Sequence, residues 1–232
     1  NLKTAAQYFS PFEKLLWLSS AVLIVISFCI FDRGSLSTPI ASLIGVTSLI
    51  FSAKGNPIGQ LLMIIFSVFY GIISLGCAYY GEVATYIGMT APMALFALIS
   101  WLKNPFEGRR SEVKVGSISR KEVVFMLLLS AVVTAVFYFI LDAFGTANML
   151  PSTLSVTTSF IAVYLTFRRN PFFALAYAAN DIVLIILWTM AALKNISYLS
   201  VVICFIVFLI NDLYGFVSWL RMGKRQNGNV TA

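Results

Sequence analysis

The sequence predicts an all-α, polytopic membrane protein on three observations. Of its 232 residues 59% are hydrophobic and only 11% charged, the apolar residues gather into eight runs of helical length, and the basic residues sort to alternate breaks between those runs. An ordinary soluble domain is about 45–50% apolar and about 25% charged. Sixteen basic and nine acidic side chains are too few to cover a water-soluble fold of this size, so its exposed surface faces lipid.

A spanning helix needs about 20 mainly apolar residues, and the runs fall at 14–31, 36–53, 57–78, 83–102, 121–141, 149–167, 171–192 and 197–219. The first begins at Lys14 and stops at Asp32-Arg33-Gly34. It lacks a small-residue cleavage site before Asp32, and the next run starts almost at once, so it reads as a retained helix and not a signal peptide. Lys54-Gly55-Asn56 ends the second and Gly81-Glu82 the third. A long polar loop follows the fourth, Gly145-Thr146 the fifth, Arg168-Arg169-Asn170 the sixth and Lys194-Asn195 the seventh.

If all eight runs cross, both termini share one side with the loops after spans two, four and six. That side carries fourteen of the sixteen Lys and Arg residues; Arg33 and Lys194 alone lie on the other. The positive-inside rule then places both termini in the cytoplasm, and the expected location is the cell inner (plasma) membrane. The net charge of +7 is scattered over five short segments, which marks topology and not a nucleic-acid patch.

Several chemistries are excluded. Without histidine there is no His-ligated metal site, His-based triad or imidazole relay. Cys29, Cys77 and Cys204 stand singly in apolar runs, which points to packing and not to a disulfide framework or thiolate metal site. Walker A, GxGxxG, HExxH and GxSxG patterns are absent, so no cofactor is implied and ATP coupling within the chain is excluded. The Ser and Thr residues of span six have no His or Lys base, which disfavours an intramembrane enzyme.

The two halves resemble each other. Ser52-Ala53-Lys54-Gly55-Asn56-Pro57 aligns with Thr166-Phe167-Arg168-Arg169-Asn170-Pro171 at an offset of 114, and Ser100-Trp101-Leu102-Lys103 with Ser218-Trp219-Leu220-Arg221 at 118. Before each Asn-Pro, Ala41, Gly45, Ser48 and Ser52 match Ser155, Ser159, Ala162 and Thr166, a small-residue face that lets backbones approach in lipid. Spans two to four therefore repeat as six to eight with span five as linker, a parallel 3+1+3 bundle with one extra N-terminal helix. The predicted organisation is an N-terminal segment 1–35, a first repeat 36–104, a loop and linker helix 105–148, a second repeat 149–222 and a disordered tail 223–232. Parallel repeats are a transporter architecture, with the site near the midplane between them.

Function is expected where the halves differ. Asn180-Asp181 stands opposite Phe66-Ser67, and Asn211-Asp212 opposite Met93-Ala94. A charge near a bilayer centre costs about 2.5–3.5 kcal/mol even on the lenient scale, so such groups face a cavity or a partner. No Lys or Arg lies inside the spans to neutralise the acids. They bind something cationic, are protonated, or form a polar clamp between spans seven and eight. Helical spacing gathers Phe173, Tyr177, Asp181, Leu184 and Trp188 on one stripe of span seven, Gln60, Met63, Ser67, Tyr70 and Ser74 on one of span three, and Tyr86, Thr90, Met93, Ala97, Trp101 and Asn104 on one of span four. Aromatic faces with carboxylates and amides suit a flat cationic ring. Trp101 and Trp219 read as interfacial anchors that double as part of an inner gate with Asn104; Tyr79, Tyr80 and Glu82 lie at the outer entrance.

From 36 to 223 the order of Tyr80-Gly81-Glu82, Pro92-Met93, Trp101-x-Lys103-Asn104, Ala162 through Arg169, Asn180, Trp188 and Asn211-x-x-Tyr214-Gly215 with Trp219 resembles the PnuC-type vitamin B3 transporters, which share the fold of SWEET sugar carriers. The family pattern W-x-x-W-x-x-N falls on Ala174, Tyr177 and Asn180: the Asn carries over, Tyr177 is an aromatic replacement, and the first Trp is lost. The resemblance implies facilitated diffusion of nicotinamide riboside, trapped by a separate cytoplasmic kinase. Related members carry thiamine or riboflavin, which keeps other vitamins open as cargo. Asp181 is expected near the positive ring, Tyr177 and Trp188 stacking, and Asn180, Asn211, Gln60 and Ser67 on ribose or carboxamide, with Tyr70, Thr90 and Asp212 completing the site. Asn56-Pro57, Pro92, Asn170-Pro171, Gly71 and Gly215 are expected hinges. The reading from a different class is a membrane scaffold or sensor whose Asn-Asp pairs only lock helices. Helix one or five is left to mediate a homo-oligomer.

Overall fold

The computed structural model describes residues 8–34, 36–76, 80–146 and 148–228. Cys77 and Tyr79 lie outside them, as do the side chains of Ser74 and Tyr80. Its helices are α1 (Pro11–Phe31), α2 (Ser37–Ala53), α3 (Ile58–Gly76), α4 (Tyr80–Thr85), α5 (Ala91–Lys103), α6 (Arg120–Ala143), α7 (Met149–Phe167), α8 (Phe172–Ala192) and α9 (Leu199–Gly228). Among the described residues, six apolar helical stretches are long enough to cross a membrane: Pro11–Phe31, Glu82–Lys103, Arg120–Ala143, Met149–Phe167, Phe172–Ala192 and Ile196–Gly228. Large apolar side chains such as Leu15, Ile26, Phe139 and Leu150 stand exposed on their outer faces, as a lipid solvent requires. The chain is a helical membrane protein.

Span four is one helix in two pieces. Tyr86–Thr90 between α4 and α5 is a π-helical turn, in which the Ala91 N–H reaches back to the Tyr86 carbonyl. Pro92 has no N–H to give to the turn before it, and widening by one residue is a common local answer.

The two repeat-like halves clasp each other at the basic end. Trp101 Nε1 donates to the Thr166 carbonyl at 2.9 Å and Ser100 Oγ to that of Phe167 at 2.8 Å. Conversely, Trp219 Nε1 donates to the Ser52 carbonyl at 2.8 Å and Ser218 Oγ to that of Ala53 at 2.7 Å. Helix ends leave carbonyls without intrahelical donors, and here the closing Ser-Trp of each half serves the C-terminus of α2 or α7 in the other. The turns that follow are also equivalent. Gly55 (φ 65°) and Arg169 (φ 58°) both adopt the left-handed conformation, and Asn56 Oδ1 and Asn170 Oδ1 accept from the N–H two residues on, each at 3.0 Å. Both indoles are fully buried, which corrects their reading as interfacial anchors. Trp101→Phe and Trp219→Phe should each cost about 1–2 kcal/mol, for one hydrogen bond and some ring volume. Thermal melting in detergent checks this, with two similar decreases expected from equivalent positions.

The flanking helices are tied alike. Ser10 caps α1 in a capping box with Glu13, and Glu13 pairs with Lys54 at 3.2 Å. Ser119 caps α6 by accepting from the Glu122 N–H, and Arg168 Nη2 donates to Glu122 at 3.0 Å. Lys54 and Arg168 are equivalent positions in the two halves, so α1 is held to α2 as α6 is held to α7.

The long polar loop is ordered. Pro105–Phe106 and Arg109–Val113 form an antiparallel hairpin, turned at Glu107 and Gly108, both at positive φ, as a two-residue hairpin loop demands. Its return segment straps the basic end: the Val113 N–H donates to the Gly55 carbonyl and the Gly116 N–H to that of Arg169, both at 2.9 Å. A Cβ on Gly116 would lie 2.3 Å from the Arg168 carbonyl oxygen, so only glycine fits. The expected disordered tail is also corrected as far as Gly228, residues 229–232 lying outside the described ones. α9 continues to Gly228, and Gln226 bonds to Val113 and Val115, because the strap gives the last turns a surface to pack on.

Candidate functional site

A cavity of about 440 Å³ opens among α2, α3, the π turn, α7, α8 and α9, within the range of small-molecule sites. Its mouth carries Glu82, Phe144, Gly145, Thr146, Asn148, Lys194 and Tyr198, at the end opposite the strap. At its other extreme Tyr177 meets an aromatic plug: Phe173 lies 6.3 Å from Tyr177, 4.9 Å from Trp219 and 6.3 Å from Trp101, and the two indoles are 5.3 Å apart. The cavity is thus open at one end and closed by packed rings and the Ser-Trp clasp at the other.

Of the expected substrate-binding residues, the fold brings Tyr177, Asn180, Asp181, Trp188, Thr90 and Asp212 together on the lining. Asp181 and Asp212 are 4% and 5% exposed, and their carboxyls lie close to each other between α8 and α9. Asp181 Oδ2 is buried without a hydrogen-bond donor. None of the ion pairs among the described residues includes either acid. Two carboxyls confronting each other without a cation make a poor helix clamp and a good cation receptor, since the field of both converges on one point.

Four expected residues lie elsewhere. Gln60 Nε2 donates to Ser52 Oγ at 3.3 Å and Ser67 Oγ to the Met63 carbonyl at 2.8 Å, so both serve the α2–α3 packing. Tyr70 stacks behind the wall, 5.6 Å from Phe66 and 4.7 Å from Tyr86. Asn211 Nδ2 donates to Ser20 of α1 at 2.9 Å and to the Val207 carbonyl at 2.8 Å. Among the gate residues, Glu82 lies at the mouth while Trp101 and Trp219 sit beneath the cavity floor. Asn104 follows α5 as its C-cap, where its Nδ2 donates to the Ser100 carbonyl and its own carbonyl accepts from Lys114. Gly71 is a close approach: a Cβ there would come within 2.5 Å of Ile87.

Ser155, Ser159, Lys194 and Tyr198 also line the cavity without a site role in the sequence reading, while Tyr86 lines it as its place on the span-four stripe suggests. The two serines had been read only as a small packing face. The signal that distinguishes them is their replacement by Ala41 and Gly45 in the first half.

The model of a family described as nicotinamide mononucleotide transporter matches residues 35–221. A nicotinamide riboside transporter PnuC of Neisseria mucosa is 26% identical over 204 residues, covering 86% of this chain and 77% of that protein. One from Haemophilus influenzae is 22% identical over 218 residues, covering 94% and 93%. A crystal structure of the vitamin B3 transporter PnuC superposes with a TM-score of 0.80 at 23% identity, over 94% of both chains, and so shares this fold.

Proposed function

The chain belongs to the nicotinamide mononucleotide transporter family, and from that membership we propose that it carries nicotinamide riboside across the membrane. The single observation that favours this cargo is a buried pair of acids, neither of them in an ion pair among the described residues, on the wall of an aromatic cavity. Nicotinamide riboside offers a permanent pyridinium charge for Asp181 and Asp212, a flat ring for Tyr177 and Trp188, and hydroxyl and amide groups for Asn180 and Thr90. Two relatives named as transporters of this compound support the reading.

All eight apolar segments cross in this reading, spans two to four and six to eight forming the 3+1+3 repeat, with both termini and the strap in the cytoplasm of the inner membrane. The reciprocal Ser-Trp clasp and the basic loops at one end support that arrangement. The open mouth is then the outer one, and inward release follows when the two halves rock about Asn56-Pro57 and Asn170-Pro171 and part the Trp101–Phe173–Trp219 plug. Transport is facilitated diffusion, and phosphorylation by a separate kinase keeps the product inside.

Titration of the purified protein in detergent with nicotinamide riboside, thiamine, riboflavin and a hexose tests the cargo. Saturable binding of the riboside, with ligand-dependent thermal stabilisation, is the expected result. Silence toward the riboside with saturation by another vitamin reassigns the cargo, and silence toward all four returns the chain to the scaffold reading.

A further inference from the structure

Asn180 is fastened to α7 by three hydroxyls. Its Oδ1 lies 3.3 Å from Ser155 Oγ, 2.8 Å from Thr158 Oγ1 and 3.1 Å from Ser159 Oγ. The three donors stand at i, i+3 and i+4, on one face of the helix. A carbonyl oxygen has two lone pairs. Three hydroxyls are more than enough to occupy them, even though Thr158 also reaches the Leu154 and Ser155 carbonyls at 3.0 and 3.1 Å and so has a second use for its proton. With its oxygen fully engaged, Asn180 has only its NH2 group left for the cavity that it lines, and that nitrogen makes no hydrogen bond among the described residues.

The first half lacks the whole set together. At the offset of 114, Ser155, Thr158, Ser159 and Asn180 become Ala41, Ile44, Gly45 and Phe66. There the arrangement is apolar: a Cβ on Gly45 would come within 3.2 Å of Phe66 and 2.6 Å of Phe208, so glycine makes room for the two rings. The same helix pair packs without the hydroxyls in one half, and they occur in the half whose helix carries the amide.

We propose that Ser155, Thr158 and Ser159 are positioning residues that hold the Asn180 carboxamide with its NH2 toward the cavity. This creates a subsite that only donates hydrogen bonds and therefore selects a ligand bearing an acceptor. The inference rests on the riboside reading above, in which that acceptor is the carboxamide oxygen of the ring whose charge meets Asp181, the next residue on α8. A hydroxyl, which both donates and accepts, satisfies such a subsite less selectively than a carbonyl.

The test compares nicotinamide riboside with pyridine riboside, the same cation with hydrogen in place of the carboxamide, by titrating the full chain in detergent. Wild type prefers the first. The Ser155→Ala/Ser159→Ala double variant loses about tenfold in affinity for nicotinamide riboside and keeps its affinity for pyridine riboside, so the discrimination collapses. Thr158→Val removes one hydroxyl at nearly constant volume, shifts the ratio in the same direction by less, and serves if the double variant does not fold; Ser159→Thr restores the donor and the preference. Equal losses for both ligands, or an unchanged ratio, overturn the positioning role while leaving the riboside reading standing. Wild type that binds neither compound overturns the riboside reading and this inference with it.

Discussion

Asp181→Asn lowers the affinity for nicotinamide riboside by about two to four orders of magnitude while leaving the fold intact. The substitution keeps size and shape, so packing around α8 survives. What it removes is the group that can turn anionic against a bound cation, at a site that is 4% exposed and faces no Lys or Arg partner among the described residues. Removing one member of a buried ion pair costs about 3–5 kcal/mol, and here the other member is the bound cation. The unliganded protein should melt no lower than wild type, because the change also relieves the confrontation with Asp212. Binding titration and thermal melting on the same sample separate the outcomes. A lower melting temperature with unchanged affinity would mean that the acidic pair is a helix lock after all.

The second large effect is on stability. Gly59→Ala should destabilise by about 3 kcal/mol, lowering the melting temperature by roughly 6–12 °C for a chain of this size. A Cβ at this position would stand 2.3 Å from Ser52 Oγ, 2.6 Å from the Ser52 nitrogen and 2.9 Å from the Ser48 carbonyl oxygen. Two of these are backbone atoms, so α2 and α3 must separate. That separation also strains the hydrogen bond from Ser48 Oγ to the Gly59 carbonyl, 2.8 Å long. Gly88→Ala is the control: nothing lies within 4 Å of its added carbon, and its melting temperature should stay near wild type. Equal melting of the two variants would refute the close-approach argument.

The helical plan was legible because hydropathy and charge act over whole segments. A run such as 149–167 announces itself by length, and the Ser-Trp and Asn-Pro matches expose the two halves because equivalent turns need equivalent residues. The site was only partly legible. A stripe at helical spacing says which residues share a face, but not which neighbour that face meets. Asp181 and Asp212 fell on the cavity because an unpaired acid has nowhere else to go. Gln60, Ser67 and Asn211 found partners on adjacent helices instead, which periodicity cannot foresee when each helix has several neighbours. The π turn had one local hint, Pro92, and the strap had none stronger than Gly108 and Gly116, since its order comes from helix ends distant in sequence.

Under the rocking motion proposed above, the reciprocal clasp also bears on how the protein divides its time between states. The four hydrogen bonds from Ser100, Trp101, Ser218 and Trp219 join the halves at one end only. At about 1 kcal/mol net for each, their rupture alone makes the form open at that end a rare species at rest, well below one molecule in a hundred unless new contacts replace them. An apparent dissociation constant scales inversely with the competent fraction. The same cavity should therefore look tight from the mouth and weak from the clasped side, and a compound that wedges the two indoles apart would narrow that difference without touching the acidic pair.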